Sequence, residues 1–175
     1  MKLPRQGKKR LTDFLSEHRI LVRVPTIPRV KVLLAMAQTM ARDGSVRNPL
    51  EFYQELANLS SPWIAHEREQ QAPRLKIYQV SSAKVSKLTA AMALCPDGVK
   101  LDEGETAQLF LLLATPADSI ASYLALLAHV VCVLESQLRR EALLECADAS
   151  QVWALLGRLE EIDPSFPVGR LDSRG

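Results

Sequence analysis

Six consecutive apolar residues at 109–114 (LFLLLA) constrain this chain more than any other feature. A strand with one wet face alternates apolar and polar residues, whereas an unbroken run needs cover on both faces. At 175 residues the chain can supply that cover within one domain. Aromatic residues make up only 5%, so the core must come from Leu, Val, Ala and Ile. Strands alternating with helices of ten or more residues then predict a three-layer α/β/α fold, with a mixed and mostly buried sheet between helices.

The flanking segments fit that frame. Residues 11–16 (LTDFLS) suit a short helical turn, and 20–24 (ILVRV) a short β-branched strand ended by Pro25 and Pro28. Residues 29–42 predict a helix with Val30, Leu33, Leu34, Ala37 and Met40 or Ala41 inward, closed by Gly44. Asn48, Pro49 and Glu51 form a helix start, with Phe52, Leu56 and Leu59 on its buried side. Residues 75–80 (LKIYQV) read as a strand with Tyr78 and Val80 on one face, and the alanine-rich 88–94 as another, followed by a turn at Asp97-Gly98. Asp118 or Ser119 caps a long helix carrying Ile120, Tyr123 or Leu124, Leu127, Val130 or Val131, and Leu134. A second helix spans 137–145. Asp148 or Ser150 caps a third, with Val152, Leu155 or Leu156, and Leu159 inward. Three regions follow: a basic arm at 1–10, a single domain at 11–162 and a loose tail at 163–175.

Charge and residue inventory exclude several classes of function. The net charge of +2 offers no global attraction to nucleic acid or anionic lipid, although nine Lys/Arg and two acids precede residue 32 while five Lys/Arg and twelve acids follow residue 100. No nucleic-acid motif accompanies the basic arm, and neither a secretory signal nor a membrane-spanning run occurs. Cys95, Cys132 and Cys146 are scattered and unpaired with histidines, so no metal site and no cofactor are expected, and a cytoplasmic location is. His18, His66 and His129 match no catalytic spacing; His129 reads as a packing residue of the long helix. No GxSxG, GxxxxGK[ST] or GxGxxG occurs.

The stretches LTDFLSEHRILVRV, MARDGSVRNPLEFYQEL, LDEGETAQLFLLLATPADSIASYLALLAHVVCVL and LRREALLECADASQVWALL, taken together, resemble the type-2 IIA domains of the sugar phosphotransferase system, of fructose, mannitol and nitrogen-regulatory type. The resemblance runs from Leu11 to Glu161 and implies a bacterial, cytoplasmic phosphoryl carrier. In such domains a histidine in a "GIAIPHxR" segment takes phosphate from HPr and passes it to a IIB domain. A neutral imidazole attacks phosphorus, while backbone N–H groups and an arginine hold the phosphoryl oxygens.

At each of those points this sequence departs. The matching segment is Leu75 to Ser82, which puts the histidine on Val80, or on Gln79 if the alignment slips by one, and the arginine near Ser82. The family's second histidine, in an "HLxLLA" helix, matches Tyr123 of SYLALLA. No glycine lies between Gly44 and Gly98. The expectation is therefore a IIA-like regulator that docks on a protein such as a transporter, a kinase or another phosphotransferase component, without phosphoryl transfer. Tyr78, Gln79, Val80, Ser82 and Tyr123 would border the vacated site, and contacts around Val80 and Tyr123 would make it dry. Trp63, after Pro62, is a candidate partner contact, while Trp153 reads as core beside Leu156. The alternative is an active carrier using a displaced histidine, His66, with Arg68 and Arg74 near it in sequence. It would require the loop at 63–73 to fold back over the site.

Overall fold

The apolar run forms the middle of a four-stranded mixed sheet because only an inner strand can hide every side chain. The computed structural model describes residues 10–57, 71–101, 104–118 and 120–162, with backbone alone at 120–122. Its strands are β1 (Ile20–Leu21), β2 (Leu75–Ser81), β3 (Thr89–Lys100) and β4 (Thr106–Thr115), in the order β1-β3-β4-β2. β3 and β4 pair antiparallel, with Met92 opposite Leu111. β2 runs parallel to β4, from Leu75 opposite Leu109 to Ser81 opposite Thr115, and β1 runs parallel to β3. Parallel pairs need crossovers: two helices and β2 lie between β1 and β3, and β3 itself lies between β2 and β4.

The helices divide between the two faces. α2 (Arg29–Arg42) and α3 (Pro49–Ala57) cover Tyr78, Val80, Ala91, Ala93, Phe110 and Leu112. α1 (Leu11–Phe14), α4 (Ile120–Leu134), α5 (Gln137–Leu144) and α6 (Ala149–Ile162) cover Ile77, Met92, Leu94, Leu109, Leu111 and Leu113. The expected three layers are present. From Leu109 to Thr115 every residue is 0% exposed, and each buried Leu or Phe there stabilises by about 1.5–3 kcal/mol.

Several local expectations need correction. α2 has the expected ends, but its inward face is Val32, Leu33, Met36, Ala37 and Met40, whereas Val30 is 45% exposed. Asp97-Gly98 is no turn. It lies inside β3 at a register break between Leu94 and Val99, with Gly98 at φ +82°. A Cβ there would fall 2.3 Å from the Thr106 side chain, so both conformation and space require glycine. The hairpin turns instead through Gly104, where the Leu101 amide donates to Glu105 O at 2.7 Å. Asn48 and Asp148 do cap their helices, accepting from the amides of Glu51 (3.4 Å) and Gln151 (2.9 Å). The arm at 1–9, the loop with Leu59, Trp63, His66 and Arg68, the cap candidate Ser119, and the tail from 163 lie outside the described residues.

Three buried charges tie the helices down. Arg19 Nε donates to Ala90 O (2.9 Å) and Nη2 to Phe14 O (2.8 Å), while Nη1 pairs with Asp43. Arg140 closes the C-terminal end of α4 at Leu134 O (2.9 Å) and Glu135 O (2.6 Å), and reaches Pro73 O (2.7 Å) just before β2. Glu160 of α6 has a side chain 0% exposed, and it accepts from the Leu11 amide (2.7 Å), the Thr12 amide (3.1 Å), Thr12 Oγ1 (2.8 Å) and His129 Nε2 (2.5 Å).

Burial alone would raise the Glu160 carboxyl, but these donors together outweigh it and hold the group below its ordinary 4.5. A depressed carboxyl contributes stability that is present above the unfolded value and lost as pH falls through the folded one. Glu160→Gln is therefore expected to cost roughly 2–4 kcal/mol at neutral pH and to flatten the loss of stability below about pH 4.5, read by urea unfolding across a pH series.

Candidate functional site

Ligand sites of open α/β sheets form where parallel strands end at their carboxyl termini. Here those ends belong to β2 and β4, which finish side by side at Ser81 and Thr115. The Ser81 and Thr115 hydroxyls bond at 2.7 Å, and the Ser82 amide donates to Thr115 O at 3.0 Å, closing the strand ends together. α4 begins five residues beyond Thr115, so its first turns stand over the same end of the sheet.

The alternation of side chains along β2 sorts the predicted residues. Tyr78 and Val80 belong to the α2/α3 face, where Val80 is 4% exposed and Tyr78 stacks on Phe110 at 6.3 Å between ring centroids. Gln79 points with Leu75 and Ile77 toward the α4 face, and is half-buried. Tyr123 is buried on that same face. Val80 and Tyr123 are thus parted by the sheet and do not border one cavity. The residues brought to one side are Gln79, Ser81, Thr115 and Tyr123. Of the two alignments, the one on Gln79 puts that position on the same face of the sheet as Tyr123.

Ser82 is 5% exposed, and its Oγ accepts the Lys84 amide at 3.1 Å, which shapes the turn after β2. Lys84 is held on the α3 side by Glu55 and, at 3.5 Å, by Glu51. Thr115 was not singled out in the sequence, where it reads as the end of an apolar run. Its register partner Ser81 is the signal that finds it.

Chemically the cluster offers neutral hydrogen-bonding groups. Burial pushes the Tyr123 phenol up to about 12, so it stays protonated at neutral pH, and no described side chain bonds its hydroxyl. Burial likewise pushes Cys95 up to about 12, leaving that thiol unreactive. His129 is engaged by Glu160, and exposed His18 precedes β1 at the opposite edge of the sheet, with β3 and β4 between it and β2. Trp153, expected as core, is 38% exposed, and its indole Nε1 donates to Leu15 O at 2.7 Å. Val152, Leu156 and Glu160 are the residues α6 buries. Among the described residues, no group of three His, Cys, Asp or Glu could hold a metal ion, and no helix is long and apolar enough to cross a membrane.

The sequence profile described as "Phosphoenolpyruvate-dependent sugar phosphotransferase system, EIIA 2" matches residues 13–158. No curated protein matches the sequence. Among solved structures, the nitrogen regulatory protein IIA-Ntr from Neisseria meningitidis superposes with a TM-score of 0.68 at 17% identity, covering 83% of this chain and 97% of that one. IIA mannitol from Escherichia coli gives 0.65 at 15% identity, over 81% and 97% of the two chains. The complex of enzyme IIAMTL with phosphorylated enzyme IIBMTL, also from Escherichia coli, gives 0.64 at 15% identity, over 82% and 96%. At these identities the likeness is one of fold.

Burial sets different tolerances at the two candidate positions. Val80→His, which forces a larger polar ring into an aliphatic core, is expected to cost roughly 2–3 kcal/mol, and Gln79→His less than about 1 kcal/mol, by chemical denaturation.

Proposed function

We propose a function from one premise: the chain belongs to the EIIA 2 family of the phosphoenolpyruvate-dependent sugar phosphotransferase system. Our reading is a cytoplasmic, IIA-like regulator that acts by docking on another protein and does not carry phosphate. The observation that carries it is the end of β2. Where a phosphocarrier needs an exposed imidazole, the strand ends in half-buried Gln79, buried Val80 and a Ser81 tied to Thr115. None of these side chains is a nucleophile at neutral pH, and the neighbouring Tyr123 is held neutral by burial.

The surface beside that end supports docking. α4 contains no Asp, Glu, Lys or Arg, and Leu124, next to Tyr123, is 49% exposed. An uncharged face with exposed aliphatic groups favours a protein partner over an anionic ligand. The partner in this reading is a IIB-like domain, a transporter or a kinase. In the solved IIAMTL–IIBMTL complex a protein of this fold is assembled with phosphorylated enzyme IIBMTL.

Incubation with phosphoenolpyruvate, enzyme I and HPr tests the absence of transfer. The expected result is no acid-labile phosphate on the protein. Stoichiometric labelling that disappears in His66→Ala would overturn the reading and restore a carrier with a displaced histidine. Docking is tested by co-purification from the native cell, where Leu124→Asp is expected to abolish recovery of a specific partner without changing the fold.

A further inference from the structure

The sheet edge opposite β2 carries a second feature that the regulatory reading leaves unused. A cleft of about 300 Å³ lies between α1, the 3₁₀ turn at Glu17–Arg19 and α6, lined among others by Asp13, Leu15, Glu17, His18, Arg19 and Trp153. Its aromatic wall is fixed: the Trp153 indole is anchored through Nε1 to Leu15 O at 2.7 Å, yet remains 38% exposed. The side chain pays little further ordering entropy when it meets a ligand.

Charge in the cleft is one-sided. Arg19 is 8% exposed, and its guanidinium pairs with Asp43 and donates to Ala90 O and Phe14 O. Asp13 and Glu17 are both exposed and are the two charges of the lining left unbalanced. Asp13 Oδ2 accepts the Arg10 amide at 3.0 Å, which holds that carboxylate at the start of α1 without neutralising it. Glu17 accepts the Ile20 amide through its backbone carbonyl, and its carboxylate has no hydrogen-bond or ion-pair partner among the described residues. An anchored indole with two carboxylates beside it is complementary to a cation carried on an apolar stem. The ring face attracts positive charge, the carboxylates accept its N–H groups, and Leu15 offers apolar surface for the methylenes.

We propose that this cleft is a socket for a basic side chain, an arginine by preference, presented by a partner protein. The planar guanidinium stacks on Trp153 and donates to Glu17 and Asp13, where an ammonium would make only a point contact. The same charge excludes nucleic acid and acidic peptides. The socket does not depend on the reading of the β2 end, since β3 and β4 separate the two edges of the sheet.

The test is nuclear magnetic resonance of the full chain labelled with nitrogen-15, following the Trp153 indole Nε1–H signal, assigned by its loss in Trp153→Phe. The probe is a capped tetrapeptide with two arginines, and the control is the same peptide with citrulline, which keeps the shape and loses the charge. A saturable shift with the arginine peptide alone, weakened about two- to fivefold by Glu17→Gln and further by added salt, is expected. Glu17 is exposed, so an otherwise unchanged spectrum verifies that the variant is folded. Equal shifts with citrulline, or no effect of Glu17→Gln, would overturn the socket. A response that appears only after residues 1–9 are deleted would make the occupant this chain's own basic arm, and would overturn the assignment to a partner.

Discussion

From Leu109 to Ala114, β4 has nowhere to put a polar group. Flanked by antiparallel β3 and parallel β2, it satisfies its backbone on both sides, and its seven residues from Leu109 to Thr115 are sealed on both faces. That requirement places helices above and below the sheet, sets the crossovers that carry β1 and β2 to the edges, and brings the ends of β2 and β4 together at Ser81 and Thr115. The candidate site is a by-product of covering one apolar strand.

With few aromatic side chains for the core, ionised groups bind the helical layers to the sheet. Arg19, Arg140 and Glu160 each satisfy at least two backbone groups, one or more of them far away in sequence, and each is almost wholly buried. A buried charge is tolerated only when its hydrogen-bonding capacity is filled, and one with several partners is hard to replace by a neutral group. These residues fix where α1, α4 and α6 lie. In doing so they also create the cleft beside Trp153, because Arg19 is drawn inward and leaves Asp13 and Glu17 without a counter-charge.

Elements were more legible in the sequence than faces. The ends of α2 were readable because Pro28 and Gly44 bracket it, and so was part of its inward side (Leu33, Ala37 and Met40), but Val32 and Met36 were not. Val30, Leu34 and Ala41 fit helical spacing as well as Val32, Met36 and Met40 do, and only the packing on β3 decides between them. Asp97-Gly98 misled for a related reason: a glycine with positive φ serves a bulge as readily as a turn. Trp153 shares the spacing of core residues, yet its indole N–H finds a carbonyl at the rim. At the candidate site the sequence located the end of β2. It could not tell that Val80 and Tyr123 lie on opposite sides of the sheet, because that depends on which face α4 covers. Glu160 and Arg140 were invisible as anchors, since their partners are backbone atoms whose positions exist only in the folded chain.

β2 stands at the rim of the sheet and leans on a single neighbour, while the β3–β4 hairpin is local in sequence and central in the core. Such an arrangement separates what holds the molecule together from what it presents. Exposed Ser81 at the end of β2 can change in identity with little effect on the interior pair, whereas buried Val80 cannot. Variation at the rim is thus confined to positions that face outward, while the hairpin keeps the shape.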